Sequence, residues 1–320
     1  MVSELDRKIA QRIANSENIL IASHVRPDAD AVGSMLGLGI ALLNAGKQVQ
    51  MVLQDGAKGF EYLPKADLIV NTPSINADMI VVVDCSDPER VGDVLDAYPS
   101  PDLVVDHHKT NLQFGEFNVV EPEQVATSAI LYDRIPLWGL AFDEEVAICL
   151  LSAIVGDTIG FRTAQVDSEV LRKSAALMDL GANLFEIYSK GLTLKSFQAI
   201  RYWGSGLQRV QCEDKLVWTS LTLADREEVG YPGNDDADLV NILSSVKEAS
   251  IAVIFVEQSK NKVKISWRAK PGIDVSGIAF EFGGGGHAAA AGADIEGTLS
   301  DVQEKVIQKT KQLLTNINKR

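Results

Sequence analysis

Apolar positions in the first half of the chain form short unbroken runs rather than alternating ones. NILIA (18–22), QVQMVL (48–53), DLIV (67–70), MIVVVD (79–84) and DLVVD (102–106) are rich in β-branched side chains and separated by polar segments. Such runs predict strands buried on both faces, as in a parallel sheet covered by helices. Between them the period becomes helical. Leu5, Ile9 and Ile13 share one face of residues 3–15, and the small-residue stretch AVGSMLGLGIALLNAG follows the first strand. Two further helical segments are expected around 126–138 and 143–154.

The pattern changes after residue 184. LFEIYSKGLTLKSFQAIRYWG is helical and mixed, with no strand signal, and reads as a connector. KLVWTSL (215–221), ASIAVIFVEQ (249–258) and NKVKISWRA (261–269) return to strand composition, the last two joined by a polar turn at 259–261. A helix over 273–282 and a glycine run follow. The tail is helical from Ser300, where Ser300 and Gln303 form a candidate capping box and Val302, Val306, Leu313 and Leu314 an apolar stripe. The expected fold is α/β: an N-terminal parallel-sheet domain (1–185) with helices on both faces, a helical linker (186–210), and a smaller C-terminal α/β domain (211–320).

At 320 residues the chain can build two cores. No apolar stretch approaches the ~18 residues of a membrane helix, and the charged N-terminus lacks the apolar centre of a signal peptide. Three cysteines, an odd number with no Cys-x-x-Cys, suit reduced thiols, so the cytoplasm is the expected location. The net charge of −14 disfavours long nucleic acid, whose binding needs clustered Lys and Arg. A small anionic substrate in a metal-rich pocket stays compatible, because divalent ions supply positive charge locally.

Candidate chemistry collects where strands end. The first ends in His24-x-Arg26-Pro27-Asp28-x-Asp30, the fourth in Asp84, the fifth in Asp106-His107-His108, and a helix-end turn carries Asp157. In an open parallel sheet, functional groups gather beyond the carboxyl ends of strands. Taken singly, each group has an ordinary explanation. Asp84 or Asp106 would cap a following helix, His24 would be a loop histidine, and Asp28 and Asp30 would shape a turn. Taken together they differ: of four histidines, three lie at these ends and the fourth, His287, follows the glycine run. Imidazoles and carboxylates without thiolate suit Mn²⁺ or a similar octahedral cation better than structural zinc. So many carboxylates repel unless cations neutralise them, and two ions about 3.5–4 Å apart with a bridging carboxylate would use them all.

These residues carry a resemblance. HVRPDADAVGS, VVVDCSDPERVG, DHHKTN and GDTIGFR resemble the four motifs of the DHH phosphoesterase superfamily. SWRAKPGIDVSGIAFEFGGGGHAAAAG is similar to the signature of its DHH-associated domain. Size and motif order look most like the nanoRNase class, which cleaves very short RNAs and often dephosphorylates 3′-phosphoadenosine 5′-phosphate (pAp). The resemblance implies that His24, Asp28 and Asp84 hold one metal, and Asp30, Asp84, His107 and Asp157 the other, with Asp84 as bridge. It implies Mn²⁺ as the favoured ion, with Mg²⁺ or Co²⁺ as alternatives. His108 would face the scissile phosphate or act as general acid, and Asp106 would orient an imidazole. Two positions depart from the family pattern: Ala29 and Ile159 stand where glycines are usual. An isoleucine at 159 would be strained if that position needs φ > 0.

Gly284, Gly285, Gly286 and His287, with Arg268 and Arg162, are candidate substrate contacts. A glycine run can bring backbone N–H groups against an anion; the bland alternatives are a flexible loop, a solvated Arg268 and a surface ion pair at Arg162. Three functions remain open. The first is metal-dependent hydrolysis of short oligoribonucleotides, linear dinucleotides such as pApA, or pAp, in which a shared water becomes hydroxide. The second is the same fold acting on cyclic dinucleotides or inorganic pyrophosphate. The third is a catalytically silent nucleotide sensor. A homodimer is compatible with all three. A dinucleotide-binding dehydrogenase is not, because the first strand-to-helix turn lacks the glycine fingerprint.

Overall fold

The computed structural model describes residues 2–317, apart from the side chains of His287 and Ile317. The chain divides into two compact units, residues 1–194 and 195–320. The first runs α1 (Glu4–Asn15), β1 (Asn18–Ala22), α2 (Ala29–Asn44), β2 (Gln48–Val52), β3 (Ile69–Val70), β4 (Met79–Val83), β5 (Leu103–Asp106), β6 (Phe117–Val120), α3 (Thr127–Leu137), α4 (Glu144–Asp157), α5 (Ser168–Asp179) and α6 (Leu184–Tyr188).

The strands pair in parallel in the order β3-β2-β1-β4-β5-β6. The topology therefore reverses between β1 and β4, and a crevice opens beyond their carboxyl ends. Alternate strand residues explain the unbroken apolar runs. Ile19, Ile21, Val81, Val83, Leu103 and Val105 join the helix-covered core. Leu20, Ala22, Ile80, Val82 and Val104 pack on the opposite face against Val91 and Val94 of a 3₁₀ segment, Pro88–Leu95.

Three local expectations change. Residues 66–68 form a 3₁₀ turn, so DLIV contributes only a two-residue edge strand. β6 was not expected, because Val119 is its one buried residue and the run is too short to stand out. On α1, Ile9 and Ile13 are buried but Leu5 is exposed. The buried first-turn position belongs to Asp6, whose carboxylate accepts hydrogen bonds from Arg134 Nη1 (2.9 Å) and Trp138 Nε1 (3.3 Å).

Helices α2 and α4 pack together with the start of one beside the end of the other. A Cβ at Gly156 would lie 2.3 Å from the Cβ of Ala29. The alanine that departs from the family pattern thus fills the space left by that glycine, between the segments carrying Asp28, Asp30 and Asp157. Gly156→Ala should destabilise the protein by about 1–3 kcal/mol through overpacking. Adding Ala29→Gly should recover most of the loss, and urea denaturation of both variants measures the coupling.

The second unit runs α7 (Phe197–Leu207), β7 (Gln211–Glu213), β8 (Leu216–Leu221), α8 (Leu223–Val229), α9 (Leu239–Leu243), β9 (Ile251–Ser259), β10 (Lys262–Ala269), α10 (Ser276–Glu281), β11 (Gly285–His287), β12 (Ala290–Glu296) and α11 (Leu299–Ile317). Its sheet has the order β11-β12-β10-β9-β8-β7, antiparallel except for the β8–β9 pair. Phe255, Ile265 and Trp267 pack with Val302 and Val306 on one face, and Val217, Ile254 and Val256 with Tyr202 and Leu239 on the other. Residues 186–210 do not form a separate connector: Ile187 belongs to the first unit's core and Tyr202 to the second's. The tail helix begins two residues' span earlier in its capping than Ser300. Thr298 Oγ1 accepts from Asp301 N at 3.3 Å and donates to the Asp301 carboxylate at 2.8 Å.

Candidate metal centre

Four segments converge in the crevice. Asp28 caps α2, its Oδ1 accepting from Asp30 N (3.0 Å) and Ala31 N (3.1 Å), while its Oδ2 faces His24 Nε2 at 4.0 Å. At the end of β4 the chain turns through Asp84, which takes a left-handed φ of 52°, a conformation aspartate tolerates better than most residues. Its two oxygens then point to different neighbours. Oδ2 lies 3.6 Å from His24 Nε2, and Oδ1 lies 3.7 Å from His107 Nε2. His107 Nε2 is also 3.6 Å from Asp157 Oδ2, at the end of α4, and 4.0 Å from Asp30 Oδ2. His24, Asp28 and Asp84 therefore form one donor cluster and Asp30, His107 and Asp157 another; Asp84 also groups with His107 and His108, so it touches both sides.

Both histidines are oriented from behind. His24 Nδ1 sits 2.9 Å from Val25 O and His107 Nδ1 3.3 Å from Gln124 O. A carbonyl only accepts, so each Nδ1 donates and the lone pair of a neutral ring falls on Nε2. Lone pairs facing carboxylates at 3.6–4.0 Å repel, and these separations exceed hydrogen-bond length. They suit donors sharing one cation, which at bonds of about 2.0–2.2 Å stand about 2.8–4.4 Å apart between right-angled and opposed positions. The donor set fits divalent cations.

The charges agree. Burial, then Asp84, push the Asp30 carboxyl up to about 7, His107 opposing. Burial, then Asp30 and Asp28, push Asp157 well above the ordinary carboxylate range. Burial would also raise Asp84, but the imidazole of His24 at 3.6 Å and those of His107 and His108 carry it below the ordinary range. The imidazoles rise despite burial, His24 and His107 chiefly through Asp84. Carboxylates crowded to the point of taking up protons are a site that cations relieve.

His108 differs from its neighbour. Its Nδ1 donates to Asp106 Oδ1 at 2.6 Å, and Asp106 Oδ2 accepts from Asn111 Nδ2 at 2.6 Å. Asp106 is fully buried and lies outside the donor clusters. Ile159 adopts φ 51°, the strained conformation anticipated for it. Several residues in the crevice carried no sequence signal. The backbone N–H groups of Thr127 (2.6 Å) and Ser128 (3.1 Å) and the Ser34 hydroxyl (3.1 Å) donate to Asp30. Asp55 holds the Arg26 N–H at 2.6 Å, with Arg26 itself left-handed at φ 55° before a proline.

The candidate substrate contacts are more dispersed. Arg162 is exposed on the turn after Asp157. Arg268, in the second unit, donates to Asn241 Oδ1 (3.1 Å) and Trp267 O (3.0 Å) rather than lying solvated. The glycine run is not a loop throughout. Gly285 and Gly286 belong to the edge strand β11, and a Cβ at Gly284 would lie 2.0 Å from Gly292 O, so close strand packing alone demands that glycine. The backbone of His287 completes β11, while its side chain lies outside the described residues.

Known proteins resemble this chain in sequence and fold. Residues 18–154 match the DHH family N-terminal domain and residues 223–316 the DHHA1 domain. The bifunctional oligoribonuclease and PAP phosphatase NrnA of Thermus thermophilus is 34% identical over 304 residues, covering 93% of this chain and 90% of its own. The Bacillus subtilis protein of the same name is 24% identical, covering 90% and 92%. The crystal structure of an exopolyphosphatase-related protein from Bacteroides fragilis superposes with a TM-score of 0.89 at 25% identity, covering 97% of each chain. Fold and site define a phosphoesterase, a hydrolase of phosphoester bonds. The chain belongs to the DHH family, whose phosphoesterases are metal dependent. Among the described residues, no helix is long and apolar enough to cross a membrane.

Proposed function

We propose that the chain hydrolyses short oligoribonucleotides, linear dinucleotides such as pApA, and pAp, with two divalent ions, Mn²⁺ foremost. The observation that carries this reading is Asp84, which divides its oxygens between two histidine–carboxylate clusters. His24, Asp28 and Asp84 would hold one ion, and Asp30, Asp84, His107 and Asp157 the other. When bound, such a pair acidifies water and neutralises phosphoryl charge. The protein's own groups do the rest. Asp106 holds His108 through Nδ1, which assigns to Nε2 the proton delivered to the leaving oxygen. Arg162 would meet the phosphate, and Arg268 with Gly284–Gly286 and His287 the remainder of the nucleotide. Names of the Thermus and Bacillus relatives support the substrate class, and three free cysteines suit a cytoplasmic enzyme.

Phosphate release from pAp and cleavage of a labelled dinucleotide, with and without Mn²⁺, test the proposal. Chelation should abolish both activities and Mn²⁺ should restore them. With a net charge of −14, turnover should fall steeply beyond about five nucleotides. Comparable turnover of a dinucleotide and a strand of about 30 nucleotides would overturn the short-substrate reading.

A further inference from the structure

Helix α3 begins without a side-chain cap of its own, because Ala126 occupies the capping position. Its first N–H groups turn instead to Asp30, from the start of α2. Thr127 N donates to Asp30 Oδ2 at 2.6 Å and Ser128 N to Asp30 Oδ1 at 3.1 Å. The hydroxyl of Thr127 reaches the other way, donating to Asp84 Oδ1 at 2.9 Å. One fully buried residue thus grips two carboxylates from different segments.

We propose that Thr127 is a positioning residue that sets the geometry of the second metal site, a role resting on the two-ion reading above. Asp84 Oδ1 is the oxygen beside His107, whereas Oδ2 serves the His24 cluster. The hydroxyl occupies one lone pair of Oδ1 and would hold the plane of the carboxylate, leaving the other lone pair for the ion shared with Asp30, His107 and Asp157. Without that bond, Asp84 can rotate about its side chain, while Asp30 stays pinned by backbone donors. The effect should therefore fall more heavily on the ion at the Oδ1 side, with a smaller one at the Oδ2 side.

Calorimetric titration of the metal-free full-length protein with Mn²⁺ tests this. Thr127→Val keeps shape and backbone N–H but removes the hydroxyl; Thr127→Ser restores it. The valine variant should bind one ion about 10–100-fold more weakly, with a smaller loss at the other, and serine should recover most of both. Thr127→Ala makes the same comparison if valine prevents folding. Wild-type protein that binds two ions beside a valine or alanine variant with the same two affinities would overturn the role of Thr127 alone. Equal affinities in the valine and serine variants would also overturn it. Wild-type protein that binds no second ion would overturn the two-ion reading itself.

Discussion

Asp84→Asn is expected to lower kcat on pAp and on dinucleotides by at least ~1,000-fold, the upper range for removing one preorganised charge from an active site. The substitution is nearly isosteric, so its effect isolates charge and donor type. An asparagine oxygen could still accept the Thr127 hydroxyl, but the NH₂ group would then face the His24 side, where a cation is proposed to sit. Both clusters would lose a ligand at once. Mn²⁺ stoichiometry should fall from two to one or none. The fold should survive, because Asp84 packs at a strand end and its N–H bond to Val105 O (2.9 Å) is backbone. Near-ultraviolet circular dichroism checks that point. A folded variant retaining a tenth of wild-type activity would remove Asp84 from the bridging role.

The sheet was legible because burial on both faces leaves unbroken β-branched runs, as at 79–83 and 103–106. Edges were not. β3 and β6 bury too little side chain to leave a pattern, and β12, AAGADIE, is built of small residues that carry weak strand preference. The second unit's small helices were missed for a related reason: α8 and α9 are too short for a helical period to register. At the site, charged donors were visible since all but Asp157, at the end of α4, follow a recognisable strand, and the sheet order brings those strand ends together. The groups that orient them were invisible. Val25 O, Gln124 O and the Thr127 and Ser128 N–H groups act through the backbone, which any residue supplies. The glycine run carries a second signal that the sequence hides, since Gly284 is also required by its strand neighbour.

His108→Gln should reduce kcat by about 100- to 10,000-fold, the range for losing a positioned general acid, while Mn²⁺ stoichiometry and KM change little. His108 can be separated from His107 because its Nδ1 is committed to Asp106 at 2.6 Å, whereas His107 faces Asp30, Asp84 and Asp157. Burial opposes its protonation, but Asp106 and Asp84 raise its pKa above the ordinary value, favouring an imidazolium able to give up a proton. Asp106→Asn should act in the same direction but less strongly, by about 10–100-fold, since the amide can still hold the ring while losing the charge. The decisive comparison is the leaving group. A nucleotide nitrophenyl ester departs as a stable phenolate and needs no proton, so the glutamine variant should hydrolyse it nearly as fast as wild type. Equal losses on ester and dinucleotide would mean that His108 binds phosphate or metal instead of protonating the leaving oxygen.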